Sequence, residues 1–165
     1  MNVSIYSHAA MQALIDNASF PSNAAVISFS SPPRGHRPTI PPIDYSNACQ
    51  RVFRVWIPDI DIEILSDYGY TLQSYLAEAD ELAQFIYQAC RDGYDLICQC
   101  DYGQSRSAAC AAAILEHFEG RGIEIFADYR YYPNQLVYNK LKDALDKLSH
   151  TFPKQQTPKQ TARGS

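Results

Sequence analysis

The feature that most constrains the fold is a continuous apolar run, AAVISFS, at residues 24–30. An uninterrupted run of this kind is typical of a strand that is buried on both faces. Three further segments predict strands, at residues 2–7, 51–59 and 95–100. Because helical patterns separate these strands, we expect an α/β protein whose mostly parallel central sheet, of about four to five strands, is flanked by helices.

The predicted helices have ordinary start and stop signals: a serine cap, apolar residues at helical spacing, a closing glycine and an opening proline. They cover residues 8–16, about 71–90, from 105 or 106 to 118, and 133–148. Residues 153–165 are polar and basic and lack periodicity, which predicts a flexible tail after a single domain at residues 1–152.

The composition of the chain limits which partners and which cellular compartment can be expected. The net charge is −4, and because nucleic-acid backbones reward a basic face, no nucleic-acid partner is expected. The sequence shows no signal peptide and no stretch near the ~20 apolar residues of a membrane span. Five cysteines without regular spacing argue against a disulfide framework. We therefore expect a soluble cytoplasmic protein with reduced thiols and no membrane partner.

The segment most indicative of chemistry is CDYGQSRS, residues 100–107, between a predicted buried strand and a predicted helix. Backbone amides in such a loop, at the positive end of the helix dipole, can surround an anion. The guanidinium of Arg106 matches two phosphate oxygens at once. The same positive field favours a thiolate at Cys100, and Ser107 can stabilise that sulfur. The predicted phosphate-binding residues are Asp101, Tyr102, Gly103, Gln104, Ser105 and Arg106.

This segment resembles the C-x5-R-[ST] signature of the protein tyrosine and dual-specificity phosphatase superfamily. The order of segments from Asn2 to Leu148 is also similar to that of small bacterial and phage tyrosine phosphatase-like proteins. The resemblance implies a phosphatase-type fold over residues 1–152 and hydrolysis of a phosphomonoester through a cysteinyl phosphate on Cys100. It implies no metal and no organic cofactor.

The resemblance also implies a general acid. Asp59 follows the segment VFRVWI at the place where compact members of the family carry that residue, and Asp61 and Asp67 are the alternatives. Pro133-Asn134 resembles the Pro-Asn pair that follows the signature helix in dual-specificity enzymes.

One residue departs from the family pattern. The position before the nucleophile, usually histidine, is Gln99, which can still donate hydrogen bonds to loop carbonyls.

Cys98 could form a regulatory disulfide with Cys100, but a role in the core is favoured.

Several functional alternatives stay open at the level of sequence. The substrate could be a phosphorylated protein or a small phosphomonoester such as an inositol phosphate or an RNA 5′ end. The rival of a different class is a phosphate-binding module without turnover. The sequence does not indicate the oligomeric state.

Overall fold

The computed structural model describes residues 1–151. Its four strands are β1 (Val3–Ser7), β2 (Ala24–Ser30), β3 (Val52–Trp56) and β4 (Asp95–Cys100). They form one sheet in the order β1-β4-β2-β3, and every neighbouring pair is parallel. The predicted α/β class with a parallel sheet is confirmed. In a parallel sheet the carboxyl ends of the strands meet at one edge, which is where the loops that matter here begin.

Five α-helices occur among residues 1–151. They are α1 (His8–Asp16), α2 (Ala79–Arg91), α3 (Arg106–Glu119), α4 (Ile123–Ala127) and α5 (Gln135–Ser149). Ser7 caps α1 as predicted, because its hydroxyl accepts a hydrogen bond from the amide of Ala10 at 3.1 Å. Gly120 ends α3 in the left-handed conformation that glycine favours. No helix of this part of the chain is long and apolar enough to cross a membrane.

The sheet is buried on both faces because side chains of β2 and β4 alternate between two cores. Ala25, Ile27 and Phe29 belong to the larger core, which also contains buried residues of α2, α3 and α5. Ala24 and Val26 belong to a smaller core with Met11 of α1. Ten successive buried residues open α3, most of them small, which packs this helix tightly into the domain interior.

The predicted helix at 71–90 is wrong in its first half, since the α-helix begins only at Ala79. Residues 72–78 form turns, and Leu76 has a left-handed φ of 52° that no α-helix can contain. The ammonium group of Lys140 donates to the carbonyls of Leu72 at 2.6 Å and Gln73 at 3.2 Å, and also to that of Tyr75. This lysine satisfies carbonyls that a continuous helix would have bonded internally.

Two further elements differ from the prediction. The third strand ends at Trp56, so residues 57–59 continue as an irregular segment along the edge of the sheet. The short helix α4 has no counterpart among the predicted helices. The predicted tail, residues 153–165, lies outside the described residues.

Candidate active site

The loop between β4 and α3 lies at the carboxyl edge of the sheet, with Cys100 as the last residue of β4 and Arg106 as the first of α3. Three of its carbonyls accept hydrogen bonds from outside the loop. These bonds run from the amide of His8 to Asp101, from that of Tyr132 to Gln104, and from that of Asn134 to Ser105. Within residues 1–151, the amides of residues 102–105 have no hydrogen-bond acceptor. The loop therefore turns its carbonyls toward the protein and keeps a set of amides free for an anion.

Gly103 is required for this shape for two reasons. Its φ is +67°, which side-chain-bearing residues rarely adopt, and a Cβ at this position would lie 2.6 Å from the amide nitrogen of Ser7. The loop thus packs directly on the backbone at the end of β1.

Cys100 and Ser107 are in contact. The Cys100 sulfur lies 3.0 Å from the Ser107 hydroxyl oxygen, and both side chains are buried. Ser107 is thus the hydroxyl neighbour of this sulfur, as the sequence predicted. Cys98 is also fully buried, in the same core as Cys100 and Cys110, and all three are free thiols.

The guanidinium of Arg106 is buried beneath the loop, with 2% of the side chain exposed. Its Nη1 donates to the carbonyl of Ile57 at 2.7 Å, and its Nη2 donates to the Asp101 carboxylate at 2.9 Å. Its Nε has no partner, and it is the one buried side-chain nitrogen or oxygen in this state among residues 1–151. An unpaired donor on a buried cation is costly, and an anion in the loop would satisfy it.

Asp59 is exposed but is tied to the loop. Its Oδ1 accepts hydrogen bonds from the Ser105 hydroxyl at 2.7 Å and from the Asn134 side-chain amide at 2.9 Å. Asn134 also caps α5, since its Oδ1 accepts the amide of Val137. Asp61, the sequence alternative, precedes the 3-10 turn at Ile62–Ile64 and makes no capping hydrogen bond to it. Of the candidate acids, Asp59 is the one that the structure links to the loop.

Gln99, the residue of β4 that precedes Cys100, is buried, with 2% of its surface exposed. Its Oε1 accepts hydrogen bonds from Ser28 Oγ at 2.6 Å and from the Tyr45 hydroxyl at 3.1 Å. Burial raises the pKa of Tyr45 to about 12, so this hydroxyl stays a donor at neutral pH. Gln99 therefore joins β4 to β2 through its oxygen, rather than donating to loop carbonyls as the sequence had suggested.

Two contacts of the site had no signal in the sequence. The hydroxyl of Tyr75 donates to the carbonyl of Pro58 at 2.9 Å, next to Asp59. The hydroxyl of Ser31, just after β2, donates to Asp101 at 2.9 Å. Ser31 follows the carboxyl end of a strand adjacent to β4, which places it at the right edge, but only the folded chain shows its partner.

No protein-family model matches the sequence, and no curated protein matches it. Solved structures do resemble the fold. Human DUSP28 has a TM-score of 0.54 at 20% identity, over 90% of this chain and 94% of its own. PTPMT1, in complex with PI(5)P, has a TM-score of 0.53 at 16% identity, over 91% and 94%. DUSP15 has a TM-score of 0.51 at 15% identity, over 92% of each chain.

Identities this low establish similarity of fold only. The resemblance to bacterial and phage proteins in particular stays a prediction. The chain has the α/β fold of the dual-specificity phosphatases, over nine-tenths of its length.

Proposed function

We propose that this protein is a phosphomonoester hydrolase that works through a cysteinyl phosphate on Cys100. The observation that carries the proposal is the unpaired Nε of the buried Arg106, at the end of a loop whose amides at residues 102–105 donate to no protein group and which begins at the buried thiol of Cys100. Transfer of a phosphoryl group requires three things around one point: a cation, a set of amides and a nucleophile.

In the first step the thiolate of Cys100 attacks phosphorus in line with the leaving oxygen. Arg106 and the loop amides hold the equatorial oxygens, whose charge increases in the transition state. As the phosphorus–oxygen bond breaks, Asp59 gives its proton to the leaving oxygen. The products of this step are a free alcohol or phenol and a phosphorus–sulfur bond.

In the second step a water molecule replaces sulfur at phosphorus. Asp59, now a carboxylate, takes a proton from the water, and inorganic phosphate forms. The sulfur leaves as a thiolate, and the Ser107 hydroxyl 3.0 Å away donates to it. The cycle returns both residues to their starting states and uses no metal or organic cofactor.

We infer the class of substrate by analogy with the proteins of similar fold. DUSP28 and DUSP15 bear names of the dual-specificity class, which favours a phosphorylated tyrosine, serine or threonine side chain. PTPMT1 was solved with PI(5)P, which favours a phosphorylated inositol as the alternative.

A binding module without turnover is the candidate of a different class. Two observations favour it: Gln99 replaces the usual histidine, and Asp101 places a carboxylate on the phosphate-binding arginine. Both would weaken catalysis, whereas neither removes the nucleophile or the cation.

Turnover of an aryl phosphate by the parent protein and by Cys100→Ser decides between these candidates. We expect steady hydrolysis by the parent, competitive inhibition by vanadate and no effect of a chelator. Cys100→Ser should bind phosphate yet release no product. Equal hydrolysis by both proteins would exclude Cys100 as nucleophile, and phosphate binding without hydrolysis by the parent would favour the binding module.

A further inference from the structure

Asp101 places a fixed carboxylate inside the loop, directly after Cys100. Its Oδ2 accepts hydrogen bonds from Arg106 Nη2 and from Ser31 Oγ, each at 2.9 Å. Its backbone carbonyl accepts the amide of His8 at 3.1 Å. Because main chain and side chain are both held, the carboxylate has a defined position against the guanidinium.

This carboxylate is bound to the guanidinium that would hold a phosphate. A guanidinium grips two oxygens of an anion through adjacent N–H groups, and Nε and Nη2 share one edge of its plane. Nη1 is committed to the carbonyl of Ile57, Nη2 donates to Asp101, and Nε is unpaired. The edge formed by Nε and Nη2 therefore keeps one unpaired donor, while its other nitrogen already donates to the carboxylate.

Charge adds to this competition. The Arg106 and Asp101 side chains are 2% and 12% exposed, so water and salt screen them little. Asp101 neutralises the guanidinium locally, and a phosphate dianion would add two negative charges beside it. Since like charges repel strongly at this range, the carboxylate disfavours the free anion.

Resting on the function proposed above, we propose that Asp101 is a built-in competitor of phosphate for Arg106 and lowers the affinity of the loop for phosphoryl groups. The loop binds free phosphate weakly, so a phosphate ester must add contacts from its leaving group outside the loop. Inorganic phosphate, the product, lacks those contacts and leaves readily. Because the phosphoryl group of an ester is also an anion, the competition acts on ester and free phosphate alike, and contacts to the leaving group are what distinguish the two.

Calorimetric titration of the full chain with inorganic phosphate, and separately with tungstate, tests the competition. Asp101→Asn keeps the size of the side chain and an acceptor oxygen but removes the charge. We expect its dissociation constant for phosphate to be at least about tenfold lower than that of the parent. Ser31→Ala is the matched control, because it removes a hydrogen bond to Asp101 and keeps the ion pair; its change should stay within about threefold.

The effect must also pass through Arg106. In an Arg106→Met background, Asp101→Asn should bring no gain in affinity, and a gain that persists there would contradict the competition. An unchanged or weaker affinity of folded Asp101→Asn would overturn the proposal, as would absence of phosphate binding in both the parent and the variant. Asp101→Ser, checked by circular dichroism, replaces Asp101→Asn if the latter does not fold.

The titration measures binding without turnover, so the two proposals fail separately. A protein that hydrolyses no ester but gains affinity in Asp101→Asn contradicts the proposed hydrolase and supports the competition. A protein that hydrolyses esters but gains no affinity for phosphate in Asp101→Asn supports the proposed hydrolase and contradicts the competition.

Discussion

Two networks of polar side chains join separate elements of this protein, and they differ in how fully their donors are paired. In the helix network, which links α2, α3 and α5, the Tyr87 hydroxyl lies 2.6 Å from His117 Nε2 and His117 Nδ1 lies 2.8 Å from Asp146 Oδ1. Lys142 extends the chain to the other carboxylate oxygen of Asp146 at 2.6 Å. The loop network consists of Arg106, Asp101, Ser31 and the carbonyl of Ile57. Here, by contrast, the buried Arg106 keeps one donor unpaired.

We infer from this difference that the helix network has a structural role and the loop network the function proposed above. Among residues 1–151, no buried side-chain nitrogen or oxygen of the helix network lacks a partner, which is the usual result of selection for stability. An unpaired buried donor costs about 1–3 kcal/mol, and the fold gains nothing from it. A phosphate that satisfies the donor, as proposed above, would account for its presence. Substitutions in the loop network should therefore change activity most, and those in the helix network should change stability alone.

The largest effect is expected for Gly103→Ala, with Gly120→Ala as its matched control. Both glycines have a φ of +67°, but only Gly103 would bring a Cβ against backbone, 2.6 Å from the Ser7 nitrogen, whereas Gly120 faces open space. Strain from φ costs each variant about 1–2 kcal/mol. Gly103→Ala must also shift the loop, so we expect its kcat to fall about 10³-fold or more while Gly120→Ala keeps its activity. Steady-state kinetics and thermal unfolding of both variants measure the contrast, and equal losses of activity would contradict it.

Arg106→Lys should have the next largest effect. Lysine keeps the charge but loses the planar pair of donors, so kcat should decrease on the order of 10²-fold. Arg121→Lys, in which an arginine 53% exposed is changed in the same way, should leave kcat unaltered. A folded Arg106→Lys protein with near-normal kcat would show that Arg106 does not hold the reacting phosphate.

Asp59→Asn should reveal its role through the leaving group. A general acid matters most when the departing oxygen is a poor leaving group, as in a phosphopeptide. We expect about a 10²-fold loss of kcat on a phosphopeptide and a much smaller loss on an activated aryl phosphate. Asp61→Asn, run on the same two substrates, is the control. Leaving-group dependence in Asp61→Asn instead of Asp59→Asn would move the acid by two residues.

Asp146→Asn should have the smallest effect, confined to stability. Burial opposes ionisation of Asp146, but hydrogen bonds from Lys142 and His117 outweigh it and hold the pKa of this carboxyl below its usual value. A lowered pKa stabilises the fold above the unfolded-state value of about 3.9, and this contribution is lost as the pH falls through the folded value. The free energy of unfolding of the parent should therefore exceed that of the variant by less than about 1 kcal/mol at neutral pH, because the Asp146 side chain is 46% exposed.

Thermal unfolding at a series of pH values from neutral to strongly acidic tests this sign. The difference in free energy of unfolding between parent and variant should shrink below about pH 4. The two proteins should have equal kcat throughout. A difference that grows in acid, or a loss of kcat, would contradict the assignment of this network to structure.

The sequence predicted the elements well where local signals agree with tertiary contacts. Strand β2 was predictable because its burial on both faces leaves an uninterrupted apolar run. The break before α2 was not, because Tyr75, Leu76 and Ala79 are all buried and keep helical spacing through it. The turn is held by Lys140, from a helix more than sixty residues later, whose ammonium group donates to three of its carbonyls.

The loop followed from sequence for a similar reason. Backbone conformation and charge require glycine and arginine at fixed places, and their spacing between a predicted strand and a predicted helix predicts an anion site. The partners of Asp59 and Asp101 did not follow, because Asn134 and Ser31 are 75 and 70 residues away along the chain. Pairings across such distances depend on the order of strands and on the position of α5, which periodicity does not encode.

The central claim, a phosphoryl group carried by Cys100, is tested most directly by trapping it. Ser107→Ala removes the hydroxyl 3.0 Å from the sulfur, so the thiolate should leave more slowly in the second step and the intermediate should accumulate. The parent protein and this variant are mixed with an activated aryl phosphate, quenched within one turnover and digested for mass spectrometry. We expect a phosphoryl group on the peptide that contains Cys100, more abundant in Ser107→Ala than in the parent. Hydrolysis with no phosphorylated Cys100 in either protein, or with the phosphoryl group on another residue, would contradict the mechanism.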